Sequence, residues 1–154
     1  MRNRINIRLP LTVWPLVLAL VAVTGCGGSD EVNSPTAVKL RGLANLYLDC
    51  AVPKNGRGPA NEQELKKHLR GLPDFILESN SVDPAAIDAL FVSERDQQPF
   101  VVRYGLAITA ISATSAPLVA HEKTGKNGRR LVVFANTKVE LVDEARLQEL
   151  AASP

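Results

Sequence analysis

The chain has few of the side chains that most often carry chemistry. Its 154 residues include two cysteines, Cys26 and Cys50, and two histidines, His68 and His121. Neither histidine lies at the i, i+4 or C-x-x-C spacing that marks a zinc site. One cysteine closes the N-terminal apolar segment, so no internal disulfide framework is expected. The sequence therefore predicts no metal site and no cofactor.

The local motifs of catalysis and nucleotide binding are also missing. The chain contains no G-x-S-x-G, G-x-x-x-x-G-K-[ST], G-x-G-x-x-G or C-x-x-C-H. His121-Glu122 with Ser112 or Ser115 nominally supplies a base and a nucleophile, but a triad is recognised by geometry that no local signature supports. We therefore expect a protein that is not an enzyme.

No apolar run is long enough to span a membrane. The run Leu9–Val23 has fifteen residues and contains Pro10 and Pro15, whereas a spanning helix needs about 20 apolar residues. Three arginines and no acid precede it, at positions 2, 4 and 8, and two small residues lead from it to Cys26. A basic start, a short apolar stretch and small residues at its end are typical of a secretory signal peptide.

The ending Val23-Thr24-Gly25-Cys26 resembles the lipobox of bacterial lipoproteins, with Val23 where that family most often has Leu. The resemblance implies that residues 1–25 are removed and that Cys26 becomes a lipidated first residue. Two or more acyl chains, at about 0.8 kcal/mol per buried CH2, hold a protein stably on a membrane. Gly27 stands where an Asp would retain a Gram-negative lipoprotein at the inner membrane, so the periplasmic face of the outer membrane is implied. The alternative is an ordinary signal peptide.

Composition after the predicted signal peptide points to one domain. Residues 26–35 are rich in Gly, Ser and acids and predict a flexible tether, whose nine residues 27–35 reach about 30 Å when extended. Without the three signal arginines the chain has 15 Lys+Arg against 16 Asp+Glu, a net charge near −1. No basic footprint for nucleic acid remains. Residues 36–154 are expected to form a single domain.

The patterning of that domain predicts an α+β fold. Ser34 and Pro35 begin a helix over 36–51, and Asn61 with Glu64 begins a second helix with an i, i+4 pair between Glu62 and Lys66. A short helical turn over 84–90 precedes strands over 100–104, 118–122, 131–135 and 139–142. Asp143 caps a short closing helix. The N-terminal helices should pack on a small antiparallel sheet that ends in a hairpin.

Two single features leave alternatives open. Cys50 lies at helical spacing from Leu40, Leu43 and Tyr47, which favours burial, although an odd cysteine could also pair between chains. The loop 123–130 carries four basic residues, which predict either a solvated loop or a contact surface for anionic lipid headgroups or an acidic partner: Lys123, Lys126, Arg129 and Arg130.

Three segments carry a second family resemblance: AVKLRGLANLYLDCAVPKNGRGPANEQELKKHL, FVSERDQQPFVVRYG and LVVFANTKVELVDEARLQEL. They resemble the helices, strands and last hairpin of type II secretion pseudopilins and related pilin-like heads. The resemblance implies a pilin-head-like fold over 36–150. Pilins keep their apolar N-terminal helix, whereas here that stretch ends at the lipobox, and Asn136-Thr137 replaces the family's usual Asp-Gly. Fibre assembly is therefore not implied.

Three function hypotheses follow. The first is a lipid-anchored envelope lipoprotein that acts without catalysis as an interaction or assembly module, with the membrane as partner through Cys26 and an envelope protein as a further partner. The second is a lipoprotein that binds a small periplasmic ligand in an apolar pocket. The third is an envelope-polymer hydrolase, which needs His121, Glu122 or Asp96 in a cleft with perturbed pKa values.

Overall fold

A computed structural model describes residues 28–108, 111 and 116–152 of the chain. The predicted signal peptide, Cys26, Ser112 and Ser115 lie outside the described residues. The fold is α+β, as predicted, with helices, a four-stranded antiparallel sheet and a C-terminal helix. None of the helices within the described ranges is both long and apolar enough to cross a membrane.

The central helix begins and ends on the signals that its sequence contains. After a short helix α1 (Gly28–Glu31), helix α2 spans Pro35–Ala51. The Ser34 hydroxyl accepts a hydrogen bond from the Ala37 amide, which caps the helix as predicted. The helix passes at its end into a 3-10 turn, Val52–Lys54. Its apolar stripe is fully buried and includes Leu40, Leu43, Tyr47 and Cys50.

Shorter helices flank α2 on the same side of the sheet. Helix α3 spans Glu62–Leu69, α4 spans Asp74–Ser79, and a 3-10 segment spans Pro84–Phe91. The Asn61 side chain caps α3 by accepting from the Glu64 amide at 2.9 Å, and the Glu62–Lys66 pair forms at 2.6 Å. The Glu64 carboxylate accepts from the Ala60 amide, one residue before the amide that a capping box uses.

The sheet is a meander in which each strand pairs with its neighbour in sequence. Its strands are β1 (Val101–Val102), β2 (Leu118–His121), β3 (Arg129–Phe134) and β4 (Val139–Asp143), in the order β1-β2-β3-β4. The predicted strand over 100–104 is reduced to two residues. Arg103 still donates to the Val119 carbonyl, but the backbone turns at Tyr104-Gly105, where Gly105 has φ +73°.

Both faces of the sheet are covered. Along β3, Leu131 and Val133 belong to the core beneath α2, whereas Val132 and Phe134 pack with Leu147 of α5 (Glu144–Ala152). Successive residues of a strand point to opposite faces, so α2 and α5 lie on opposite sides. Burial on both faces explains why β3 is continuously apolar at Leu131–Phe134.

The molecule has two distinct ends. We call one end proximal because it contains the start of the described chain. It consists of α1, the start of α2, the turn Ser93–Gln98 and the hairpin loop 122–128. The Thr36 hydroxyl accepts hydrogen bonds there from the Glu94 and Arg95 amides. The opposite, distal end contains the end of α2 and the segments around Gly58 and Leu106. The Gly58 amide donates to the Leu106 carbonyl, and the Leu106 amide donates to the Tyr47 hydroxyl. Because α2 connects the two ends, they are about 25 Å apart.

The described part of the predicted tether differs from the expectation of a flexible link. Gly28–Glu31 is helical, the Ser34 hydroxyl donates to the Glu31 carbonyl at 2.6 Å, and Arg41 donates to the Val32 carbonyl at 2.6 Å. These contacts hold the segment against the domain. The composition of residues 26–35 did not predict these contacts, because Arg41 lies outside the Gly- and Ser-rich stretch.

Candidate functional site

A buried carboxylate organises the proximal end. Glu122 follows β2 directly and its side chain is fully buried. The Ser93 hydroxyl donates to Oε1 at 2.9 Å, and the Leu131 amide donates to Oε2 at 2.8 Å. Arg95 Nη1 lies 2.5 Å from Oε2. A buried charge is tolerated when it is paired and hydrogen-bonded, so these three contacts stabilise the carboxylate in the interior.

Arg95 extends this network to the start of the described chain. Its side chain is 10% exposed, and its Nη2 forms an ion pair with Glu31 of α1 while Nη1 contacts Glu122. The guanidinium group can serve two carboxylates because it presents five donors in a fixed plane. The result is a Glu31–Arg95–Glu122 network that joins α1 to the sheet.

Asp96 fixes the hairpin loop to the neighbouring turn. Its Oδ2 accepts from the Gly125 amide at 2.8 Å, the Thr124 amide at 3.0 Å and the Thr124 hydroxyl at 2.8 Å, and its Oδ1 accepts from the Gln98 amide at 3.1 Å. Burial would raise the pKa of this carboxyl, but the hydrogen bonds outweigh burial and lower the pKa to about 2. Asp96 is therefore an anionic acceptor for backbone and hydroxyl donors.

The hairpin loop forms where the Asn-Gly signal predicted it. Asn127 and Gly128 have φ values of +54° and +71°, as a two-residue hairpin turn requires, and the Lys126 and Arg129 backbones exchange hydrogen bonds across it. At Gly125, with φ +69°, a Cβ atom would lie 2.3 Å from the Arg129 carbonyl oxygen. The loop thus has a defined shape that depends on its glycines.

The structure separates the four predicted basic residues into two groups. Lys123, Lys126 and Arg129 are exposed. Arg130 is half-buried, and its Nη2 pairs with Glu144 Oε2 at 2.7 Å. Arg130 therefore binds the first turn of α5, a contact that its position in the sequence did not indicate.

The structure places the three residues named in the hydrolase hypothesis on neighbouring segments. His121 Nδ1 lies 2.8 Å from the Glu122 carbonyl oxygen, and burial lowers the pKa of His121 below its usual value. Glu122 and Asp96 lie on neighbouring segments, but both carboxylates accept hydrogen bonds from the protein. His68 lies on α3, where its Nε2 is 2.8 Å from Asp49 Oδ2. In the part of the chain that the structure describes, no group of three His, Cys, Asp or Glu side chains could hold a metal.

Cys50 is buried in the core, as its helical spacing favoured. Its exposed fraction is 1%, and Lys54 Nζ lies 3.6 Å from its sulfur. Burial raises the pKa of this thiol, an effect that the neighbouring ammonium group partly offsets. A buried, protonated thiol is poorly placed for pairing between chains.

The distal end carries an apolar groove that the sequence did not predict. Its volume is about 440 Å³, and its lining consists of Leu48, Ala51, Val52, Gly56, Ile108 and Ile111. Val52 is 75% exposed and Ile111 is 45% exposed. The exposed Val52 directly follows the apolar end of α2, but the sequence does not predict that residues 108 and 111 line the same groove.

The buried ion network was also missed. Glu122 and Arg95 are 27 residues apart, and each stands in a segment that predicted a strand end or a polar turn. The sequence signal for this network was a single acid directly after the apolar stretch 118–120.

Comparisons of this chain with protein-family models, with curated proteins and with solved structures found no match.

Proposed function

We propose that the protein is a lipid-anchored lipoprotein of the bacterial cell envelope, whose α+β head acts without catalysis as an interaction or assembly module. The observation that carries this proposal is the N-terminal pattern of arginines, a fifteen-residue apolar run and Val23-Thr24-Gly25-Cys26. Cys26 is the acylated residue, and Gly27 favours the periplasmic face of the outer membrane. The resemblance of the head to pilin-like domains stays a prediction.

The geometry of the head supports an anchor at its proximal end. The described residues begin at Gly28, two residues after Cys26 in the sequence, and Glu31 pairs with Arg95. The covalent chain allows at most about 7 Å between the Cα atoms of Cys26 and Gly28. An acyl group on Cys26 therefore places the proximal end next to the bilayer and turns the distal end toward the periplasm.

The side chains named in the hydrolase hypothesis support a role without catalysis. Glu122 is fully buried, Asp96 holds the hairpin loop, and His121 hydrogen-bonds its own strand end. A catalytic carboxylate or imidazole must reach the reacting atoms within about 3 Å. Their present contacts stabilise the fold.

An envelope cross-linking experiment tests the interaction role. We expect the acylated chain, cross-linked in intact cells and purified, to retain at least one envelope protein that a Cys26→Ala chain does not retain. Recovery of the same proteins with both chains, or of none with either, would contradict the proposal. Release of soluble fragments from purified peptidoglycan by the acylated chain would favour the hydrolase instead.

The distal groove favours a second candidate, the binding of a small apolar ligand. Pockets for small molecules are concave and mostly apolar, as the groove beside Val52 is. We expect the fluorescence of an apolar dye such as 8-anilino-1-naphthalenesulfonate to rise on binding and to be lost in Val52→Asp. Phe75→Asp is the matched control, because Phe75 is 66% exposed on α4 and does not line the groove. Equal dye binding by both variants would remove this candidate.

A further inference from the structure

Exposed positive charge at the proximal end is concentrated in the hairpin loop. Four of its acids have an ion-pair or hydrogen-bond partner within the head: Glu31, Glu94, Asp96 and Glu144. Asp30 is exposed. Lys123, Lys126 and Arg129 are exposed as well, and within the described ranges none of them forms an ion pair. The segment 123–129 contains no acid, so the exposed charge of the loop itself is positive.

The loop that carries these three residues is held in one shape before any partner arrives. Asp96 accepts from the amides of Thr124 and Gly125, and the Asn127-Gly128 turn closes the hairpin. A contact surface that is already ordered loses little conformational entropy on binding. The loop is thus better suited to docking than a mobile chain of the same charge.

The closing turn of the hairpin places two like charges opposite each other. Lys126 and Arg129 are bridge partners across the turn. Side chains directly opposite on an antiparallel pair lie about 5 Å apart, and like charges there destabilise the pair. Local conflicts of this kind are expected at functional sites. Asp143, the register partner of Arg129 on β4, offsets part of this charge, and an anionic surface against the turn would relieve the remaining repulsion.

The loop also lies beside the point where the acyl chains would attach. Cys26 precedes α1 by two residues, Glu31 of α1 contacts Arg95, and the adjacent Asp96 binds Gly125 of the loop. One short helix, one ion pair and one hydrogen bond thus connect the anchor to the loop. An envelope protein binding here would have to share this space with the bilayer.

We propose that Lys123, Lys126 and Arg129 dock the head on anionic lipid headgroups of the bilayer that holds the Cys26 acyl chains. This inference rests on the proposed function, because it takes the acylated Cys26 as given. Each basic residue near an anionic surface strengthens its attachment by about fivefold. The contact fixes the orientation of the head, with the distal groove facing away from the membrane.

Amine labelling of the acylated protein in lipid vesicles tests the proposal. Acylated chain is reconstituted in phosphatidylcholine vesicles with or without phosphatidylglycerol, labelled with a water-soluble acetylating reagent, and read by peptide mass spectrometry. We expect Lys123 and Lys126 to react about fivefold more slowly on phosphatidylglycerol vesicles, with the protection lost in high salt. Lys67 on α3 and Lys138 at the opposite end of β3 are exposed internal controls whose rates should not depend on lipid.

A matched pair of variants separates a local contact from the effect of net charge. Lys126→Gln/Arg129→Gln should remove most of the lipid-dependent protection at Lys123. Arg57→Gln/Lys138→Gln removes the same charge from two exposed residues, one at the distal end and one at the β3–β4 turn, and should leave that protection intact.

The outcomes distinguish this proposal from the function on which it rests. Equal labelling of Lys123 on both vesicle types, with acylation and vesicle flotation intact, overturns the docking and leaves the anchor standing. Protection that appears only when envelope proteins are added also overturns it, in favour of an acidic protein partner. A chain that carries no acyl group contradicts the anchor and the docking together.

Discussion

At the scale of single residues, Glu122 should contribute strongly to stability. Replacing it with Ala leaves Arg95, which is 10% exposed, with Glu31 alone. Removing one partner of a buried ion pair costs about 3 to 5 kcal/mol, so we expect a loss of about 3 kcal/mol for Glu122→Ala. The free energy of unfolding is measured by urea titration of residues 27–154, followed by far-ultraviolet circular dichroism because the single Trp, Trp14, lies outside this range.

The control for Glu122→Ala is Glu140→Ala, because Glu140 is half-buried on β4 and pairs with Lys138 near the surface. Surface ion pairs contribute about 1 kcal/mol or less. A double-mutant cycle with Arg95→Ala should give a clear coupling energy. Equal effects of the two glutamate substitutions would contradict the network.

Asp96 should make stability depend on pH in the acid range. Its pKa is about 2 in the folded chain against an ordinary value of 3.8. The stabilisation is therefore fully present above about pH 5 and is lost as the pH falls toward 2. At neutral pH the shift corresponds to about 2 kcal/mol. We expect the stability difference between the parent chain and Asp96→Asn to shrink between about pH 5 and pH 2, and a difference independent of pH would be the contrary result.

The sequence predicted capping residues well and buried partners poorly. Ser34, Asn61 and Asp143 cap helices as predicted, because a cap acts on an amide two or three residues away. Glu122, Arg95 and Glu31 required the folded chain, because their partners come from distant segments. Of the basic loop, three residues are exposed, and Arg130 pairs with Glu144.

At the scale of elements, the packing of α2 depends on Gly42. A Cβ atom at Gly42 would lie 2.3 Å from the Asn80 carbonyl oxygen, which belongs to the backbone after α4. Overpacking costs about 1 to 3 kcal/mol, and the higher helix propensity of Ala offsets about 1 kcal/mol. We expect Gly42→Ala to destabilise the chain by about 1 kcal/mol in urea unfolding.

Asn45→Ala is the matched control for Gly42→Ala, because Asn45 is exposed on the same helix. It should stabilise the chain by about 0.5 kcal/mol through helix propensity alone. Opposite signs for the two variants would support the close contact, and stabilisation by both would refute it.

The sequence indicated the main elements but not all of their lengths. The boundaries of α2, β3 and β4 lie within two residues of the predicted ones, because caps, apolar runs and the Asn-Gly turn are local signals. The strand β1 is shorter than predicted, since pairing with β2 and the turn at Gly105 limit it. The helix α1 was not expected, because its stabilising partner Arg95 is distant in sequence.

At the scale of the whole molecule, the α+β class followed from the order of helices before strands. The position of α5 on the opposite face from α2 is visible only in the packing of Leu147. The distal groove likewise combines the end of α2 with residues 108 and 111. In the proposed orientation, the basic residues of the loop lie toward the anchor and the apolar groove lies away from it.

The central claim is that Cys26 anchors this head, and intact mass with membrane fractionation tests it most directly. The account predicts a chain that starts at Cys26, carries the added mass of its acyl groups and fractionates with the membrane, whereas Cys26→Ser is lost from the membrane. A parent chain that is soluble and cleaved at another residue would contradict the account.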